Sequence, residues 1–192
     1  TDELKARFKE YREEWYRRGR ELQFGDIPLS VTCELVSTCN LACTMCYTIT
    51  EKFQNSVIGA QRMMPWPTVK AIIDECAELG VPSMLFSWRG ESTLYRFKEK
   101  DGNIIRFSDV LAYARKAGIL EITCLTHGQL LTGKLAEDVV KAQPNWLNFS
   151  IDGTEKAYNQ IRTPPNKRGT EYDAFKKVTD NIKNIVRLRN EL

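Results

Sequence analysis

Cys39, Cys43 and Cys46 fall within eight residues, in the stretch STCNLACTMCYT, whereas Cys33, Cys76 and Cys124 are scattered through apolar segments. The chain opens with the charged run TDELKARFKE and not with an apolar export segment, so a disulfide scaffold is not expected and the clustered thiols read as reduced ligands. Three thiolates so close on one loop can hold three irons of a cubane [4Fe–4S] cluster while the fourth iron has no protein ligand. An open iron can bind a small molecule through an amine and a carboxylate, and a reduced cluster can pass that molecule an electron. A zinc site would need a fourth ligand, with Cys33 or the sole histidine, His127, as candidates, and the three-then-two spacing is not a usual zinc knuckle. A four-thiolate ferredoxin arrangement lacks its fourth nearby cysteine. The scattered cysteines read as small packed hydrophobes.

The elements that must position this loop follow a strand-then-helix rhythm. Residues 3–22 predict an amphipathic helix with Leu4, Phe8, Tyr11, Trp15 and Leu22 on one stripe, expected to cover one end of a sheet, with partner binding as the alternative. After the turn at 25–28, LSVTCELV predicts a first strand that delivers the chain into the cysteine loop. Pro65 and Pro67 open a helix carrying Val69, Ile72, Ile73, Cys76 and Leu79, Gly80 stops it, and PSMLFSW follows as a second strand. Ser108 is expected to cap SDVLAYARKAG, Gly118 to end it, and LEITCLT to form a third strand entering Thr126-His127-Gly128. Leu135, Val139, Val140 and Ala142 mark a further helix, residues 145–151 a fourth strand, and Phe175, Val178, Ile182, Ile185 and Val186 a last helix. Asp101-Gly102 predicts a hairpin over 94–107. Strands alternating with helices define an α/β fold with a parallel sheet.

In such folds ligands bind at the carboxyl ends of the strands. The residues found there are the three cysteines, Arg89-Gly90-Glu91, Thr126-His127-Gly128, and Ser150-Ile151-Asp152-Gly153. The 192 residues, 42% hydrophobic and 28% charged, read as one domain or part of a larger one, divided into a helix and linker at 1–26 and a core at 27–192. The net charge of +3, concentrated toward the C-terminus, excludes a nucleic-acid reader driven by phosphate neutralisation. No apolar run approaches the roughly 18 residues of a membrane span, so a cytoplasmic protein without membrane or nucleic-acid partners is expected.

These motifs, in this order, resemble those of the radical S-adenosylmethionine (radical SAM) enzymes, from about Leu29 to the C-terminus. The hallmark CxxxCxxC stands as CNLACTMC, the Gly-Gly-Glu motif as SWRGES, a TNGxLLT motif as THGQLLT, and SxDG followed by an Ile-Arg pair as SIDG and Ile161-Arg162. The likeness is greatest to the branch that often carries a C-terminal auxiliary-cluster (SPASM-type) domain. The resemblance implies a partial TIM-type barrel, with four of an expected six βα units in this chain, so that the later strands lie outside it or come from a partner. It implies a [4Fe–4S] cluster on Cys39, Cys43 and Cys46 that reductively cleaves S-adenosylmethionine to a 5′-deoxyadenosyl radical, which takes hydrogen from a substrate. Peptide or protein substrates are favoured over sugars and other small molecules, and a flavodoxin- or ferredoxin-like electron donor is implied. A non-catalytic iron–sulfur or zinc module is the alternative.

Residue by residue, the resemblance assigns the methionine ammonium to Gly90 and Glu91, the ribose to Ser150, the adenine to the backbone of Met45 with Tyr47 beside it, and further cofactor contact to Asp152. Arg162 is expected to meet the methionine carboxylate or, alternatively, to be a solvated surface arginine. Three departures stand out. Met45 replaces an aromatic residue, Arg89 replaces the first glycine and is expected to pair with a carboxylate of cofactor or substrate, and His127 replaces asparagine.

Overall fold

A computed structural model describes residues 2–192, apart from the side chains of residues 58 and 59. Its elements are α1 (Asp2–Glu21), β1 (Ser30–Thr32), α2 (Glu51–Gln54), α3 (Val57–Gln61), α4 (Trp66–Glu78), β2 (Ser83–Leu85), β3 (Arg96–Lys98), β4 (Ile104–Arg106), α5 (Phe107–Lys116), β5 (Glu121–Thr126), α6 (Gly133–Lys141), β6 (Trp146–Phe149), α7 (Glu155–Ile161) and α8 (Ala174–Glu191). Strands β1, β2, β5 and β6 lie side by side in that order, all parallel, with Val31 opposite Met84, Met84 opposite Ile122, and Cys124 opposite Leu147. This is the expected α/β architecture, a partial barrel of four βα units. The predicted hairpin is present as the antiparallel pair β3 and β4.

Side-chain alternation along the strands separates two faces. Met84, Ile122 and Cys124 are wholly buried against Val69 and Ile73 of α4, Val110, Leu111 and Ala114 of α5, and Ala136 and Val139 of α6. Leu125, the next residue along β5, is 45% exposed and Trp146 of β6 is 57% exposed, so the concave face stays open to water on that side. Cys33, Cys76 and Cys124 are buried in the core, as expected of packed small hydrophobes.

Several local expectations are corrected. The first strand is a three-residue ladder, extended only by Cys33 N–H donating to Leu85 O at 2.8 Å, because Leu35 and Val36 turn to meet Met63 and Met64 instead. Ser108 is not the cap of α5. The cap is Arg106 and the helix starts at Phe107, two residues earlier than a Ser108 cap would give; Asp109 accepts from Arg106 N–H at 2.8 Å, and Ser108 is buried in the first turn. Leu79 and Val186 lie exposed and not on the apolar faces of α4 and α8. Of the stripe on α1, Tyr11 is buried and donates to Glu121 Oε2 at 2.8 Å at the amino end of the sheet, but Leu4 and Trp15 are exposed. The aromatic stripe therefore anchors the helix mainly through one ring, and Arg12 lies against the rings of Tyr11, Trp15 and Tyr16. The short helices α2, α3 and α7 carry no periodicity long enough to be read from sequence.

Candidate cluster and cofactor site

At the carboxyl end of the sheet, the loop after β1 carries the three cysteines into a cleft of about 550 Å³. The loop is shaped by its own backbone. Cys46 N–H donates to Cys43 O at 2.9 Å, closing a turn, and the chain then tightens into a 3-10 turn at Tyr47–Ile49. A polar group stands at each sulfur: Leu41 N–H donates to Cys39 Sγ at 3.3 Å, Arg162 Nη1 stands 4.0 Å from Cys43 Sγ, and Cys46 Sγ lies 2.9 Å from Thr48 Oγ1. Burial pushes the Cys39 thiol up to about 12 and raises that of Cys43, against the opposing pull of Arg162. Ligation must therefore expel protons, as thiolate binding to a metal generally does.

The loop after β2 is pressed onto this segment. Glu91 N–H donates to Thr38 O at 2.8 Å. Gly90 has φ +63, and a Cβ on it would lie 2.4 Å from Val36 O and 2.6 Å from Thr38 O, so only glycine fits. Glu91 is 2% exposed and binds the ends of two strands together. Its Oε1 accepts from Thr93 N–H at 3.2 Å, Thr93 Oγ1 at 2.6 Å and Thr126 Oγ1 at 2.6 Å, and its Oε2 accepts from His127 N–H at 2.9 Å. Oε2 also has His127 Nε2 at 3.5 Å and accepts fewer hydrogen bonds than Oε1. Arg89 differs from expectation in finding its carboxylate inside the chain: its N–H and Nε both donate to Glu34 Oε2, at 3.0 and 2.6 Å.

His127 is buried and both ring nitrogens are used. Nδ1 accepts from Gln129 N–H at 3.0 Å, which leaves Nε2 as the protonated nitrogen, donating to Asn40 Oδ1 at 2.8 Å. Burial lowers its pKa despite the nearby Glu91 carboxylate. The residue is a neutral strut tying the end of β5 to the cysteine loop. Arg162, with 16% of its side chain exposed, is not a solvated arginine: it grips both oxygens of Asp152 through Nε and Nη2.

Of the residues singled out from sequence, Cys39, Cys43, Cys46, Met45, Tyr47, Arg89, Gly90, Glu91, Thr126, His127, Ser150 and Arg162 line this one cleft, Asp152 reaches it through Arg162, and Gly128, Ile151 and Gly153 stand outside its lining. Sequence reasoning missed Leu85, Trp88 and Leu125, apolar residues on the same wall. Their position beside motif residues at strand ends was the available signal.

The donor set fits a cluster better than a single ion. Among the described residues no three Cys, His, Asp or Glu side chains are gathered as a ready metal site, and a structural zinc would need a fourth ligand beside the three thiols. The proposed fourth zinc ligands are also committed elsewhere, Cys33 in the core beside Met64 and His127 to Asn40 and Gln129. Three free thiols line the one cleft and are the ligand type that iron–sulfur clusters take.

Comparison with known proteins agrees with this chemistry. The Radical SAM superfamily profile matches residues 33–188, and the chain belongs to that superfamily, whose members use a [4Fe–4S] cluster and S-adenosylmethionine. Over 162 residues it is 33% identical to a serine-type anaerobic sulfatase-maturating enzyme of Bacteroides thetaiotaomicron, covering 81% of this chain and 36% of that protein. Over 132 residues it is 28% identical to the Fe-coproporphyrin III synthase of Methanosarcina barkeri, covering 69% and 29%. The chain thus spans about a third of the length of these curated relatives. The same fold occurs in anSMEcpe with bound AdoMet, with a TM-score of 0.62 and 20% identity over 84% of this chain and 42% of that one. It occurs also in Streptococcus suis SuiB bound to the precursor peptide SuiA, with a TM-score of 0.58 and 15% identity over 92% and 34%. Among the described residues no helix is long and apolar enough to cross a membrane.

Proposed function

We propose that this chain is the cluster-bearing core of a radical SAM enzyme that takes a hydrogen atom from a peptide or protein substrate. The observation that supports this most strongly is the convergence of the three cysteines with Gly90, Glu91, Ser150 and Arg162 on one cleft. When bound, the cluster supplies the electron that splits S-adenosylmethionine into methionine and a 5′-deoxyadenosyl radical, and a flavodoxin- or ferredoxin-like donor in the cytoplasm replaces that electron. The side chains bind, orient and exclude water.

Cys39, Cys43 and Cys46 hold the metal as thiolates. Glu91 Oε2 and the Gly90 backbone take the methionine ammonium by charge-assisted hydrogen bonding, Arg162 takes its carboxylate, and Asp152 keeps the guanidinium in place. Ser150 holds the ribose, while the Met45 backbone and Tyr47 flank the adenine. Arg89, locked to Glu34, forms the wall between the two loops. Trp88 and Leu125 are the apolar surfaces against which a substrate would shed water. The peptide or protein class draws support from the sulfatase-maturating relative and from the peptide-bound SuiB structure.

The test is formation of 5′-deoxyadenosine by anaerobically reconstituted protein given S-adenosylmethionine and dithionite, followed by chromatography. The wild-type chain is expected to release it and Cys43→Ala to release none. Release by Cys43→Ala, or a wild-type chain that takes up zinc in place of iron, would overturn the reading.

A further inference from the structure

The three cysteine sulfurs meet unequal neighbours. Cys39 has a backbone N–H and Cys46 a hydroxyl, whereas Cys43 faces the cationic Nη1 of Arg162 at 4.0 Å. That guanidinium is not free to swing. Asp152 takes Nε and Nη2 in a forked pair, Arg162 N–H donates to Tyr158 O at 2.7 Å, and Gln129 Nε2 donates to Arg162 O at 2.8 Å. A second arginine from the same segment, Arg168, donates through Nη2 to Ala42 O, so the chain after α7 grips the cysteine loop at two successive residues. A fixed positive charge against one ligand sulfur stabilises the more negative, reduced state of an iron–sulfur cluster, because hydrogen bonds to the sulfurs and local charge set its potential.

We infer that Arg162, aimed by Asp152, raises the reduction potential of the cluster through the Cys43 thiolate, in addition to any contact with S-adenosylmethionine. Asp152 is then a positioning residue that acts through Arg162. The inference rests on the cluster reading above and deepens it. It separates the two arginine functions, since an effect through Cys43 is present before S-adenosylmethionine arrives.

The experiment is a dithionite titration of the anaerobically reconstituted chain, monitored by electron paramagnetic resonance without S-adenosylmethionine, with iron content measured in parallel. Arg162→Gln is expected to shift the one-electron reduction equilibrium about tenfold toward the oxidised cluster, or about 59 mV more negative. Arg162→Lys keeps the charge without the fork and is expected to fall between. Asp152→Glu keeps the carboxylate charge while displacing the fork, so it is expected to shift the potential in the same direction as Arg162→Gln and to add nothing in the double variant. A purely structural role would lower thermal stability or iron content and leave the potential of the loaded fraction unchanged. Wild-type potentials in iron-loaded Arg162→Gln and Arg162→Lys would overturn the inference while leaving the cluster reading intact. A wild-type chain that holds no cluster would overturn both.

Discussion

Replacing Gly90 with alanine tests how the cysteine loop is held. The Cβ added at φ +63 would lie 2.4 Å from Val36 O, 2.6 Å from Thr38 O and 2.8 Å from Ser37 C, all backbone atoms that cannot rotate away. Forcing alanine into the left-handed region costs about 1–2 kcal/mol. Overpacking against fixed atoms adds about 1–3 kcal/mol. Gly80 supplies the control, because it has φ +76 and nothing within 4 Å of its Cβ, so Gly80→Ala carries about the first cost alone. For a chain of this size each kcal/mol lowers Tm by about 2–4 °C. Gly90→Ala is therefore expected to melt roughly 2–12 °C below Gly80→Ala in differential scanning calorimetry. Since residues 36–38 feed directly into Cys39, Gly90→Ala is also expected to take up less iron on reconstitution, and Gly80→Ala a normal amount. Equal melting temperatures together with equal iron would refute the claim that the two loops are packed backbone to backbone.

Further expectations follow from single contacts. Glu91→Gln turns one donor of the amide toward a donor already pointing at it, whether from Thr93, Thr126 or His127, and should destabilise the chain by about 1–3 kcal/mol per orphaned group in urea unfolding. Tyr11→Phe removes the hydroxyl bond to buried Glu121 and should cost about 1.5–3 kcal/mol, with faster amide exchange across α1. Because burial raises the Cys39 thiol from its ordinary value to about 12, little of it is thiolate at pH 8, and iodoacetamide should label it at least about tenfold more slowly in the folded apo chain than in urea. Its labelling should accelerate as pH rises. Glu34→Gln should loosen Arg89 and cost about 1–3 kcal/mol, and much of that loss should vanish in an Arg89→Ala background, as a double-mutant cycle would show.

The cysteine loop and its strand-end companions were legible because each is a short contiguous motif following a β-rich segment, so the chemistry and the address come from the same few residues. The four-unit rhythm was legible for a similar reason: α4, α5, α6 and α8 each carry an apolar face several turns long. What escaped depends on distance in space. That Arg89 would find Glu34, 55 positions earlier, or His127 find Asn40, 87 positions earlier, is decided by how the strand ends line up, and no local pattern encodes it. Ser108 misled because serine is a good cap, yet Asp109 offered the stronger carboxylate acceptor and moved the helix start to Phe107. The exposure of Leu4 and Trp15 shows the same limit on α1, where an aromatic stripe marks one face without saying how much of it is covered.

The central claim, an open iron on a cluster held by Cys39, Cys43 and Cys46, is tested most directly by electron paramagnetic resonance of the reconstituted, dithionite-reduced chain before and after adding S-adenosylmethionine. The account predicts a reduced [4Fe–4S] signal whose g-values shift on addition and which is absent from Cys43→Ala. A signal indifferent to S-adenosylmethionine, or one that survives the loss of Cys43, would contradict it.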